Sequence, residues 1–515
     1  MKYVNFFTRW KTCLNVFIWF VIASFIMFLQ WYDILEIDDI GQPFFKDSSI
    51  KELLLTADHG RYISWVIMKL VVDGTSQMFH IHCLDNHFAV FVRGGIFAMS
   101  FYLIARCSVL NTKSKYLNPL TYLFVFVMGM MCYSGLSLSD YNQNFAYIMN
   151  FCLFFPLFFI ICRYFLDGQM PSKNDLFKNS FWAFVLGISA HFNFIVMTGV
   201  LSFLLLYLFF KSEKSKFFKN LFKMSTLSPL FFFLTGMVIS IFSPHFQSLL
   251  NKQRRPDVSR LDFVLGNFND YFLELLKELY HSHQMELQMI FLLTVFSIYY
   301  AISQKKNIQK NLVLVCSLIW GIFIFNLSLI VCGKSMNGRY WFYHLDLKYI
   351  TSLFLLVAIV LLFSVLIKEL PKWGGWGIFL LLFSILCFHF DYKKYQKYEV
   401  QKDEKVRVYE MEKAIIFYSK CGYEDIYYPS NRTLPKHRNS TQNWYFHSFR
   451  KFIKKNYDID LPNKPLRELP QKDFEERAQK DGLVFTQEEL NNLDFTELIN
   501  YSKLNSEEIQ CYPIK

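Results

Sequence analysis

The sequence predicts an all-α polytopic membrane protein of about eleven spanning helices with a small polar C-terminal domain. Three observations lead there. First, apolar types make up 53% of the 515 residues, 59 of them Phe, and they fall in blocks of about 20, the length that crosses a bilayer core. Continuous blocks of this kind exclude a disordered chain and argue against a β-barrel, whose strands would alternate. Second, the net charge of +12 is concentrated in the apolar part. Of 54 Lys and Arg, 22 lie from Asp391 onward, against 21 of the 42 Asp and Glu, so the tail is nearly neutral. The remaining excess sits between apolar blocks, where basic residues orient helices, and nucleic-acid binding has no support. Third, the cysteines build no framework. Nine of 11 occur at or before Cys387, mostly in or beside apolar segments, and no CxxC is present. A thiol there acts as a small hydrophobe.

The elements follow in order. Lys2, Arg9 and Lys11 precede an uncharged stretch from Thr12 to Tyr32. It is too long for a cleaved signal core and reads as a retained first span with an aromatic anchor at its end. Further spans are expected at 86–106, 117–138, 145–165, 178–190, 192–210, 225–242, 287–303, 312–332, 347–367 and 373–390. The stretch 180–210 reads as one long helix or as two helices broken at Ser189-Ala190-His191-Phe192-Asn193. We take the hairpin, because it places Lys211, Lys214, Lys216, Lys219 and Lys223 on the inner side. With the N-terminus inside, inner segments hold 19 Lys and Arg against 4 Asp and Glu. Outer segments before residue 391 hold 13 against 17. This is the positive-inside distribution, although charge also helped to choose the hairpin. The expected division is a membrane domain over 1–390 and an extracytoplasmic domain over 391–515.

Three outer segments are long enough to carry function, 33–85, 243–286 and the domain-sized tail 391–515, and a short outer loop, 333–344, is distinctive in composition. Inner loops are short and basic. No GxxxxGK[ST] or GxGxxG stands in a suitable setting, so nucleotide-driven transport by this chain alone is not expected. The first outer segment opens Asp33-Ile34-Leu35-Glu36-Ile37-Asp38-Asp39. A carboxylate where water meets lipid can take a proton from a hydroxyl while a lipid-borne substrate stays in the bilayer, and paired acids raise one another's pKa. The same cluster also reads as a solvated acidic cap. Ser49-Ile50-Lys51-Glu52 is a capping-box pattern ahead of Leu53-Leu54-Leu55, and Tyr62 to Val72 is a second amphipathic run; both are expected to lie along the interface. Between them Asp58-His59-Gly60-Arg61-Tyr62 offers His59 and Arg61 to a phosphate, or an Arg snorkelling from an interfacial helix.

The second outer segment carries Lys252-Gln253-Arg254-Arg255-Pro256. Its adjacent Arg254 and Arg255 suit a phosphate, or else contact anionic headgroups. It ends in Tyr280-His281-Ser282-His283, which leads into the next span. The short loop Gly333 to His344 presents Arg339 and Tyr340 among aromatics that can stack on a sugar ring or form an interfacial belt. His191, at the hairpin break, is either a functional polar residue or part of the turn. The run His80 to His87 matches no standard zinc spacing, and no metal or cofactor is expected.

These features together resemble the GT-C superfamily of membrane glycosyltransferases. They are a retained first span, an Asp38-Asp39 pair just after it, interfacial helices with an Arg61-Tyr62 element, and many spans with short basic inner loops. The resemblance is architectural, covers roughly residues 1–390, and is nearest the bacterial O-antigen glucosyltransferase type and related surface-polysaccharide branches. It implies transfer of a sugar from a polyprenyl-phosphate donor to a glycan or lipid acceptor on the outer face of the cytoplasmic (inner) membrane. By position Asp38 or Asp39 matches the acidic residue that acts as base or positions the acceptor. Arg61 and Arg93 match the basic residues that hold the donor phosphate. The aspartate-glutamate-arginine-tyrosine string of the aminoarabinose-transferase branch is replaced here by Asp58-His59-Gly60-Arg61-Tyr62. A transporter or flippase of lipid-linked glycans, or a polysaccharide polymerase, is the alternative. A transporter should show inverted repeats and ionisable groups at mid-depth, and only Arg93 and His191 stand well inside apolar stretches.

Overall fold

The computed structural model describes mainly residues 2–30, 87–110, 117–132, 151–160, 172–189, 191–211, 222–242, 283–305, 307–335, 345–366, 413–429 and 466–486, with isolated positions between them. The described part is mostly helical. In chain order the helices are α1 (Lys2–Gln30), α2 (His87–Arg106), α3 (Pro119–Cys132), α4 (Phe151–Ile160), α5 (Lys173–Gly187), α6 (His191–Lys211), α7 (Met224–Ile241), α8 (Gln284–Gln304), α9 (Gln309–Ser335) and α10 (Leu345–Leu366). Each of the first ten expected apolar segments coincides with a helix; the eleventh, 373–390, lies outside the described residues. Among the described residues, Gln284–Gln304 and Gln309–Ser328 are long and apolar enough to cross a bilayer, and seven further apolar stretches have 10–17 residues.

Two boundaries differ from the expectation. Helix α1 begins at Lys2 rather than Thr12, because nothing among Phe6, Phe7, Arg9 and Trp10 breaks a helix. Helix α5 begins at Lys173, since Ser172 and Asp175 form a reciprocal capping box. The break after α5 is real: its C-cap is Ile188, and α6 starts at His191. Helices α5 and α7 run in the same direction. Ser180 Oγ is 2.8 Å from Ser228 Oγ near their starts, and Gly187 meets Gly236 further along both. Two helices running the same way leave room for one reversed helix between them, which a single helix over 180–210 would not supply.

Small residues set the closest approaches. A Cβ on Gly187 would lie 2.5 Å from the Phe233 carbonyl oxygen, and one on Gly199 would lie 2.7 Å from the Gly321 Cα, joining α5 to α7 and α6 to α9. Polar side chains bridge the same kind of interface: Trp19 Nε1 donates to Gly95 O, Tyr122 Oη to Ala98 O and Asn311 Nδ2 to Leu361 O. We expect Gly187→Leu to cost about 1–3 kcal/mol through the forced separation of α5 and α7, read as a lower melting temperature of the purified chain.

Helix α10 occupies the centre. Ile350 and Leu353 to Leu362 are buried without interruption, so this helix is enclosed all round. Phe354 on α10 meets Phe151 and Phe154 of α4 edge-on at 4.9 and 4.8 Å. The periphery is the reverse: Phe291, Phe296, Tyr299 and Ile302 of α8, Phe231 of α7 and Phe210 of α6 are exposed large apolar side chains.

The described tail residues form an α/β unit. Helical residues 413–420 lead through a turn at Gly422 (φ +79°) into β1 (Ile426–Pro429). Strand β2 (Leu466–Leu469) pairs with β1 in parallel, Ile426 opposite Leu466, and leads into α11 (Gln471–Asp481). Asp481 is the joint. Tyr418 donates to its carboxylate at 3.0 Å, Arg477 at 2.6 Å, and Tyr423 to its carbonyl at 2.9 Å. Burial first, then the Asp481 carboxylate, pushes the Tyr418 phenol far above its ordinary pKa, so it remains a donor.

Candidate functional site

Helix directions decide which loops share an end. Asn311 Nδ2 of α9 donates to Leu361 O of α10, while Asn326, further along α9, reaches Thr351 near the start of α10. The two helices are therefore antiparallel. Lys310 donates to Leu110 O, and Phe124 of α3 stacks on Phe363 of α10 at 4.5 Å, so the start of α3 lies at the end of α10. Helix α1 runs with α3: Asn15 donates to Leu117 O, and Phe25 meets Phe126. It follows that α1 and α9 finish, and α8 and α10 begin, at the same end of the bundle.

At that end the start of α8 is tied to α10 by three buried polar side chains. Ser352 Oγ of α10 donates to Glu286 Oε1 at 2.7 Å. His283 Nδ1 lies 3.1 Å from Ser352 Oγ and 3.6 Å from Glu286 Oε1. His283, Glu286 and Ser352 are only 3, 5 and 6% exposed. An unpartnered carboxylate in such a place would cost several kcal/mol. Here the first turn of α8, with its unpaired N–H groups, and the Ser352 hydroxyl supply the compensation. Since the one Ser352 hydrogen goes to Glu286, the hydrogen between His283 and Ser352 must come from Nδ1. Nδ1 therefore carries a hydrogen and donates to Ser352 Oγ.

This cluster was not legible in the sequence. His283 and Glu286, three apart at the start of an apolar run, are a faint signal, but Ser352 sits inside an apolar helix 66 residues from Glu286. Of the residues singled out from the sequence, Asp38, Asp39, His59, Arg61, Arg254, Arg255, Arg339 and Tyr340 lie outside the described residues. The backbone of Arg93 is in α2, beside Gly94, whose added Cβ would meet Ala23 O of α1 at 2.5 Å. The backbone of His191 opens α6. By connectivity, the segment holding Asp38, Asp39, His59 and Arg61 follows α1, that holding Arg254 and Arg255 precedes α8, and that holding Arg339 and Tyr340 joins α9 to α10. All three attach to the end that carries His283, Ser352 and Glu286. No group of three or more His, Cys, Asp and Glu is arranged to hold a metal ion among the described residues. No protein-family model, curated protein or solved structure matches the chain.

Proposed function

We propose that this chain is a membrane-embedded glycosyltransferase that moves a sugar from a polyprenyl-phosphate donor to a glycan or lipid acceptor at the outer face of the cytoplasmic membrane. The observation that carries the reading is the convergence at one end of the bundle. The chain leaves α1 and α9 and enters α8 and α10 there, and the segments attached are those rich in acids, arginines and aromatics. In the reaction the acceptor hydroxyl oxygen attacks the anomeric carbon as Asp38 or Asp39 takes its proton. The bond from that carbon to the phosphate oxygen breaks, and polyprenyl phosphate leaves. Arg61, Arg254, Arg255 or Arg339 holds the phosphate, and no nucleotide is consumed.

The membrane setting is supported by the exposed apolar side chains of α6, α7 and α8, which water would not tolerate at this density. Glycine contacts and interhelical side-chain hydrogen bonds are the usual means of packing helices in lipid. An external tail is supported by Cys421, which is disulfide-bonded, whereas the described free cysteines, Cys13, Cys107, Cys152, Cys162 and Cys316, belong to the helical part. A reporter fused after Lys223 or Lys310 is expected to read cytoplasmic, and one after Asp391 external; a cytoplasmic tail would separate it from the proposed site. Glycosidic-bond formation from a radiolabelled polyprenyl-phosphate sugar tests the activity. A purified protein that moves lipid-linked glycan across liposomes yet never forms that bond is a flippase instead.

A further inference from the structure

We infer that Cys421 is joined to Cys511, so that one disulfide staples the end of the chain to the α/β unit of the tail and makes its stability depend on oxidation. The inference rests on the external placement of the tail proposed above, because disulfides persist in oxidising compartments. It is independent of sugar transfer.

Cys421 is disulfide-bonded, and Cys13, Cys107, Cys152, Cys162 and Cys316 are free. The partner therefore comes from Cys83, Cys132, Cys332, Cys387 and Cys511. Cys132 closes α3 and Cys332 belongs to α9, Cys387 falls in the apolar stretch 373–390, and Cys83 lies in the first outer segment. Cys511 alone shares the polar tail with Cys421.

The described part of the tail brings the chain back toward Cys421. Cys421 stands at the end of helical residues 413–420, its N–H donating to Phe417 O at 2.9 Å. On either side of it Tyr418 and Tyr423 bond to Asp481, the last residue of α11, so the anchor of the disulfide is held in place. Beyond α11 the chain runs along that helix, since Lys413 Nζ donates to Val484 O at 2.9 Å and to the Glu489 carboxylate at 2.7 Å. Eight helical residues from Lys413 to Cys421 cover about 12 Å, and the 22 residues from Glu489 to Cys511 span several times that distance when extended. The unit also needs a staple. Its two strands have four residues each, and a two-stranded sheet is marginal alone. A bond between Cys421 and Cys511 closes a ring of about 90 residues that contains β1, β2 and α11, which restricts the unfolded chain. In forming it the two thiols lose two protons and two electrons to a small-molecule or protein disulfide, which is reduced to two thiols.

The pairing is read directly in the full-length wild type. Membranes are denatured in N-ethylmaleimide to block free thiols, and the protein is digested without reduction. We expect mass spectrometry to find the Cys421 peptide joined to the Cys511 peptide. Cys421 joined to Cys83, Cys132, Cys332 or Cys387, or recovered blocked as a free thiol, overturns the pairing. A free Cys421 in a chain whose tail reporter reads external overturns the pairing alone, whereas a cytoplasmic reporter overturns the topology as well. Stability is read by limited proteolysis of the tail against temperature. Cys511→Ser should lower its midpoint by about 10 °C or more. Cys421→Ser and the double variant should show the same fall, since all three remove one bond. A double variant that loses the sum of two separate effects, or a Cys511→Ser chain that melts like wild type, overturns the staple.

Discussion

Replacing Asp38 or Asp39 by Asn is expected to lower sugar transfer by about 10²–10⁴-fold, the usual cost of removing a general base. Asn preserves the shape of the side chain and can still bond a hydroxyl, but it cannot take the proton. The two residues are adjacent, so on a helix or a strand they point in different directions and only one faces the acceptor. The expected pattern is therefore unequal: one variant is nearly inactive, while the other is impaired through acceptor orientation. Asp33 and Glu36 lie nearer the end of α1 at Gln30, and the corresponding amides should have the smaller effect. The measurement is transfer from radiolabelled polyprenyl-phosphate sugar in membranes, with expression and insertion checked in parallel. Full transfer by both single variants and the double variant would return the cluster to an acidic cap.

Removing a phosphate-binding arginine should be nearly as severe. Arg61→Ala or Arg339→Ala is expected to weaken donor binding by about 2–5 kcal/mol if the ion pair with phosphate is buried, on the order of 30-fold to a few thousand-fold. Lys at either position restores the charge but not the planar fork, so Arg61→Lys should recover only part of the loss. Each variant should keep the melting temperature of the wild type, because the loss is of a ligand contact. The readout is the affinity for polyprenyl phosphate without its sugar, which isolates the phosphate. Unchanged affinity in both variants would mean that these arginines snorkel or belong to an interfacial belt.

The helical segmentation was written in the sequence, because a run of apolar residues specifies a helix through local composition alone. The ten apolar segments up to 367 show this directly. The reversal between α5 and α6 was legible too, although from charge rather than propensity: five lysines from Lys211 to Lys223 are better placed if the chain turns back near Ser189. Where the helices start was less legible. Ser172 caps α5 through Asp175, a pattern two residues long in its effect and easily lost beside the apolar run that follows. The candidate chemistry was legible only as residue types on segments: acids after α1, arginines before α8 and between α9 and α10.

Tertiary structure alone decided what meets what. Ser352 is one of many small polar residues in apolar helices, and only the lateral contact of α8 with α10 turns it into the link between His283 and Glu286. The enclosure of α10, the same direction of α5 and α7, and the parallel pairing of β1 with β2 are likewise non-local. The physical reason is common to them all. Hydropathy and capping act within about one turn of chain, whereas packing at Gly187 against Gly236, or a hydrogen bond from Asn311 to Leu361, depends on partners 49 and 50 residues away that local composition does not choose.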